Sequence, residues 1–168
     1  MIHEIEIEES KMDGGRSTSN YEFMTWGNCL GGLVPNGSFM TVDPQAEIHV
    51  GDIVAIALKR HGPFSSFVRS LTVDDLLGVT KIFLGSHISI AGEVVYLVGQ
   101  LNPPTISPIP AGALEAMHLV IGGQPPANTE SKLSAEDHAA KDLLGLFLAD
   151  GGTYAPVNPD WRPPGEGE

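Results

Sequence analysis

The chain has 168 residues, the size of one domain with tails. It is 42% hydrophobic and 18% charged, which excludes disorder along its whole length. Nine Lys and Arg against 21 Asp and Glu give a formal charge of −12, which argues against direct binding to nucleic acid or anionic lipid, because such surfaces need clustered cations.

The acids are uneven. From Cys29 to Gly122 seven acids face four bases, so the two flanks carry −9 of the total. The lone cysteine, Cys29, excludes an intrachain disulfide and points to a reducing compartment. Twenty glycines and 13 prolines favour many short elements over a helical bundle. The first ten residues (MIHEIEIEES) are acidic where a signal peptide is basic and then apolar. No apolar run approaches the ~20 residues that span a bilayer. The expectation is a cytoplasmic protein with no membrane contact.

Residues 1–20 read as an N-terminal arm and a flexible link. Ile2, Ile5 and Ile7 lie among glutamates with a strand-like alternation, and Lys11–Asn20 is polar and rich in Gly and Ser. Residues 21–122 read as one mainly β domain of short strands. Residues 21–34 predict a strand ending in an irregular loop. Phe39–Val42 follows the turn Pro35-Asn36-Gly37-Ser38, and Asp43-Pro44 closes it. A turn at Gly51-Asp52 leads into the β-branched run Ile53–Leu58. Phe64–Leu71 is expected as a strand and Val73–Leu77 as one helical turn with Asp74 and Asp75 exposed. Val79–Leu84 and Glu93–Val98 are expected as strands around a loop, Gly85–Gly92. Asn102–Pro110 reads as an extended surface crossing, and Leu119–Ile121 as the last strand.

Residues 123–133 read as a linker. Ser134 then caps an amphipathic helix to Asp150, with Asp137 in its first turn against the helix dipole. Ala140, Leu143, Leu144, Phe147 and Leu148 form its apolar face. Gly151-Gly152 stops it, and residues 151–168 are a Pro/Gly-rich acidic tail.

Most chemical motifs are missing. No GxxxxGK[ST] or GxGxxG occurs, and the six histidines never fall at HxH or HxxxH spacing. No metal and no cofactor is expected. The neighbouring carboxylates Asp74 and Asp75 read as solvated turn residues.

Residues 27–58 (GNCLGGLVPNGSFMTVDPQAEIHVGDIVAIAL) are more informative. The turn at Asn36-Gly37, the strand Phe39–Val42, Asp43-Pro44, the turn Gly51-Asp52 and the strand Ile53–Leu58 follow one another in an order that resembles the catalytic domain shared by LexA, UmuD, phage repressors and type I signal peptidases. The resemblance spans roughly residues 21–122. In that superfamily a serine nucleophile, usually followed by Met, lies about eight or nine residues before the glycine. Here that position is Cys29, in Gly27-Asn28-Cys29-Leu30. The second catalytic group is a lysine on a later strand, and Val79-Thr80-Lys81-Ile82 has that setting.

The resemblance implies a LexA/signal-peptidase-like β-fold and a Cys29–Lys81 dyad. A lysine buried among strands loses solvation, so its neutral form becomes accessible near pH 7 and can take the nucleophile's proton. Backbone N–H groups of the loop at Asn28, Leu30 and Gly31 would hold the oxyanion. Alternation alone points Lys81 outward to water instead. The chain departs from the family in three places: Cys29 for Ser, Leu30 for Met, and an apparent insertion at Lys59–Leu77. Ser38 falls where the family often has Asp and reads as a turn residue.

The implied substrate is a peptide, including the chain's own N-terminal arm. The family's Ala-Gly cleavage bonds occur here only downstream of Cys29, at Ala91-Gly92 and Ala111-Gly112, with Gly14-Gly15 the upstream substitute. No helix-turn-helix fits before residue 21, so the layout is nearest to UmuD. A rival reading is a catalytically degenerate module of bacterial or phage origin that pairs with itself or with a partner of the same fold. A third is a Cys/His hydrolase using Cys29 with His49, His61, His87 or His118.

Overall fold

A computed structural model describes residues 12–13, 16–17, 19–71 and 78–149 of the chain, with side chains described for 19–69 and 78–145. It is mainly β. Two short strands, β1 (Met12–Asp13) and β2 (Arg16–Ser17), pair antiparallel where the sequence predicts only a flexible link. The strand expected at Ile2–Glu8, the turn at Val73–Leu77 with Asp74 and Asp75, and the tail lie outside the described residues.

The body is one seven-stranded antiparallel sheet in the order β3-β4-β9-β5-β6-β7-β8. Its strands are β3 (Tyr21–Met24), β4 (Phe39–Asp43), β5 (Ile53–Leu58), β6 (Gly78–Ile88), β7 (Val94–Leu101), β8 (Pro104–Pro110) and β9 (Leu114–Gln124). The central strand β5 is apolar throughout because both its faces are covered. Ile53 and Ala55 join one hydrophobic cluster with Leu30, Val42, Ile82 and Leu97. Val54, Ile56 and Leu58 join a second cluster with Val98, Ile109 and Val68. Each such Val, Leu or Ile side chain removed from water contributes roughly 1.5–3 kcal/mol.

Four expectations are corrected. Phe64–Leu71 is not a strand: helix α1 runs over Ser65–Leu71. Val68 is buried and Phe64 and Phe67 pack beside it, at helical spacings of three and four. The ladder of β6 and β7 continues past Gly85 to Ile88 opposite Val94. Gly85 marks an irregularity in register, at φ 127°, rather than the start of a loop. The proline-rich crossing is a true strand: β8 pairs with β7 along its length and tolerates Pro104, Pro108 and Pro110 because it is the sheet edge. The last strand, β9, is also longer than Leu119–Ile121.

The C-terminal helix α2 spans Ala135–Ala149. The Ser134 hydroxyl accepts the Asp137 N–H at 3.1 Å while Asp137 accepts the Ser134 N–H at 2.9 Å, a reciprocal cap. Ala140 and Leu144 pack on the first cluster, whereas Leu143, expected on the apolar face, is exposed. Phe147 and Leu148 lie outside the described side chains. The composition-based linker is docked rather than loose. Leu133 is buried, Ser131 Oγ donates to Leu33 O at 2.6 Å, and Lys132 N donates to Gly32 O at 2.8 Å.

Candidate active site

The loop after β3 carries Cys29. Gly27, at φ 98°, lets the chain leave the strand, and its N–H donates to the Asn36 side chain at 2.7 Å. Gly31 N donates to Asn28 O at 2.9 Å, and a 3-10 turn follows at Gly31–Leu33. Leu30, only 1% exposed, plugs this turn into the first cluster. Its side chain is thus a core anchor beside the cysteine. The Gly31 N–H, expected to face an oxyanion, closes the turn on Asn28.

Cys29 itself is half-buried and packs against the first cluster. Its carbonyl accepts the N–H groups of Leu101 at 2.8 Å and Asn102 at 3.1 Å. Its thiol donates to Thr80 O at 3.5 Å. The cysteine therefore bridges from the start of β6 to the end of β7. The ladder between those strands begins two pairs further on, at Ile82 opposite Gly99.

Lys81 follows Thr80 directly. Alternation along β6 puts Thr80 and Ile82 on the face of the first cluster, and Val79, Lys81 and Phe83 on the other. Lys81 is half-buried rather than turned out to water, and its ammonium donates to the Gln100 side chain on β7. Gln100 Nε2 in turn donates to Pro103 O at 3.2 Å. Burial pushes the Lys81 amine below the usual lysine value, and attraction to the Cys29 side chain partly restores it. The two groups predicted as a pair thus belong to different faces of β6, Cys29 to that of the first cluster and Lys81 to that of the second, and each is hydrogen-bonded to a different partner.

Other predicted candidates fall elsewhere. Ser38 is buried, and its hydroxyl donates to Pro35 O at 2.5 Å, as a turn residue does. His49 is exposed between Glu47 and Asp52, and His61 is exposed. His87 stands opposite Val95 in the β6–β7 ladder. His118 is in register with Ala55 and Thr80 across β9, β5 and β6. That places it two strands from Thr80, about 10 Å by ordinary strand spacing and beyond a hydrogen bond. Its Nδ1 pairs instead with the Tyr21 hydroxyl at 2.8 Å. Burial lowers the His118 pKa and pushes the Tyr21 hydroxyl up to about 12. Among the described residues no group of three His, Cys, Asp or Glu is placed to hold a metal ion.

Two residues of the site escaped the sequence reading. Gln100 occupies the lysine, and Asp137 on α2 accepts the Gly32 N–H at 2.9 Å. A cavity of about 470 Å³ lies beside this loop, lined by Asn28, Gly31, Leu101, Asn102 and Asp137. A larger one, about 580 Å³, lies between Met40, Val120 and Leu133, and neither Cys29 nor Lys81 lines either of the two.

No protein-family model matches the chain, and no curated protein matches it either. Among the described residues no helix is long and apolar enough to cross a membrane.

Proposed function

We propose that the chain is a cytoplasmic LexA/UmuD/signal-peptidase-like domain that cleaves peptide bonds with Cys29 and Lys81, its own N-terminal arm being the first substrate to test. One observation carries the reading. The only cysteine sits on the carbonyl of Thr80, and the next residue is a half-buried lysine whose pKa is lowered by burial and raised by that cysteine. Lowering a lysine's pKa enlarges the neutral fraction that can act as a base.

The chemistry balances with these two groups and water. Neutral Lys81 takes the Cys29 proton, and the thiolate adds to the scissile carbonyl carbon. Loop N–H groups stabilise the resulting oxyanion. Lys81 returns the proton to the leaving amine, and a thioester remains on Cys29. Lys81 then takes a proton from water, the hydroxide breaks the thioester, and Cys29 regains its proton. The pair must first come together: the thiol, packed with the first cluster, leaves Thr80 O, and the amine, on the other face of β6, leaves Gln100 and swings toward it.

That exchange is also what favours a second reading. With both side chains satisfied by other groups, the domain serves equally as a degenerate module that pairs with itself or with a partner of the same fold. Intact mass over time at neutral and alkaline pH separates the two. Loss of an N-terminal piece in wild type, and in neither Cys29→Ala nor Lys81→Ala, supports the peptidase. Unchanged mass in all three, with Cys29 inert to a small alkylator, overturns it. Light scattering that finds a strict monomer counts against self-pairing.

A further inference from the structure

We propose that Asp137 is a positioning residue that clamps the Cys29 loop in place for Lys81; the proposal rests on the Cys29–Lys81 reading. Asp137 is 5% exposed at the start of α2. Its Oδ2 accepts two N–H groups, Ser134 at 2.9 Å and Gly32 at 2.9 Å. The first bond caps the helix. The second crosses 105 residues of sequence to the loop and has no part in capping.

The loop is shaped to receive this carboxylate. A Cβ on Gly31 would lie 1.9 Å from Asp137 Oδ1, at a φ of +55° that favours glycine. A Cβ on Gly32 would lie 1.9 Å from Lys132 O. Only glycines allow so close an approach of α2 and the segment before it. Charge-assisted bonds from backbone N–H groups are among the stronger ones a carboxylate makes. They hold Asp137 below the usual carboxylate range even though its burial acts in the opposite direction.

The clamp has two jaws. The end of β7 holds the Cys29 carbonyl through Leu101 and Asn102. Asp137 holds Gly32, three residues later, with Leu30 buried between. Release of the second jaw frees the Gly32 N–H, while the Lys132 N–H on Gly32 O, the buried Leu30, and the Cys29 carbonyl and thiol remain as holds.

The test is a double-mutant cycle read by alkylation of Cys29 with iodoacetamide at pH 8 in the full chain, where it is the only thiol. In the wild-type background, Lys81→Met slows alkylation at least about threefold. With Asp137→Ala, the same Lys81 substitution changes the rate less than about 1.5-fold, because the loop no longer holds the cysteine near the lysine. With Ser134→Ala, which weakens the cap alone, the threefold effect remains, to about the same size. A full Lys81 effect in Asp137→Ala overturns the proposal. So does its loss in both Asp137→Ala and Ser134→Ala, since capping alone then explains it.

No Lys81 effect in wild type overturns the Cys29–Lys81 reading instead. Hydrogen exchange at Gly32 then decides the clamp separately. Protection kept in Ser134→Ala and lost in Asp137→Ala supports it, and protection kept in both overturns it. If Asp137→Ala does not fold, Asp137→Asn carries the test, with a neutral acceptor and a Lys81 effect smaller than in wild type; an undiminished effect overturns the proposal.

Discussion

The thiol of Cys29 donates to the backbone carbonyl of Thr80 at 3.5 Å, one peptide unit from Lys81. This bond places the chain's one cysteine against β6, the strand that carries the half-buried Lys81. It also holds the thiol on a carbonyl while Gln100 holds the amine. The measurable consequences concern what happens when either hold is removed.

Gln100→Leu leaves the Lys81 ammonium half-buried without its acceptor. Stability at pH 7 should fall by about 1–3 kcal/mol, the cost of a buried polar group losing its partner. The deficit should shrink at pH 10, where neutral lysine needs no acceptor. Urea midpoints of both proteins at the two pH values check this.

The depressed Lys81 pKa sets a pH dependence of its own. Between that lowered value and the 10.5 of an unfolded lysine, the unfolded chain binds the extra proton, so stability rises with pH. The contribution is complete above 10.5 and is lost as pH falls through the folded value. Lys81→Met should flatten this slope. Tyr21 acts oppositely and higher: its gain is complete below 10 and is lost as pH climbs to about 12. Thermal melts from pH 7 to 11 for wild type, Lys81→Met and Tyr21→Phe separate the two windows.

His118 governs the acid side before the carboxylates titrate. Burial lowers its pKa below 6.5, so its contribution is complete above 6.5 and is lost as pH falls through the folded value. His118→Gln should make stability less dependent on pH between 6.5 and about 5, a range above the ordinary carboxylate values. Denaturation series across that range check it.

Gly32→Ala forces a Cβ to within 1.9 Å of the Lys132 backbone carbonyl. Backbone must move on one side or the other, and stability should fall by about 1–3 kcal/mol, as for other overpacked sites. Gly27→Ala meets nothing within 4 Å, and its cost arises only from φ +98°. It should be the milder of the two in a thermal melt.

Much of the fold could be read from local pattern. The turn at Gly51-Asp52 and the apolar run Ile53–Leu58 identify the central strand, because a strand covered on both faces must be apolar throughout. Ser134 and Asp137 mark the start of α2 by cap chemistry. The misreadings arose where one residue type has two uses. Gly85 interrupts a ladder instead of opening a loop, and the prolines of β8 are excluded only from interior strands. Phe64, Phe67 and Val68 are too few to fix a period until a core lies beneath them. At the site, Cys29 and Lys81 are singled out by position in a pattern. Gln100 and Asp137 carry no such local signal, because their contacts join residues 19 and 105 positions apart.

Coupling of one thiol to one amine is what the proposed chemistry requires above all. The measurement is the alkylation rate of Cys29 at fixed pH in wild type and in Lys81→Met, both confirmed as folded. A Cys29–Lys81 pair gives a rate at least about threefold lower without the lysine, the scale expected for loss of a nearby charge in a partly buried site. Equal rates in the two proteins would contradict it.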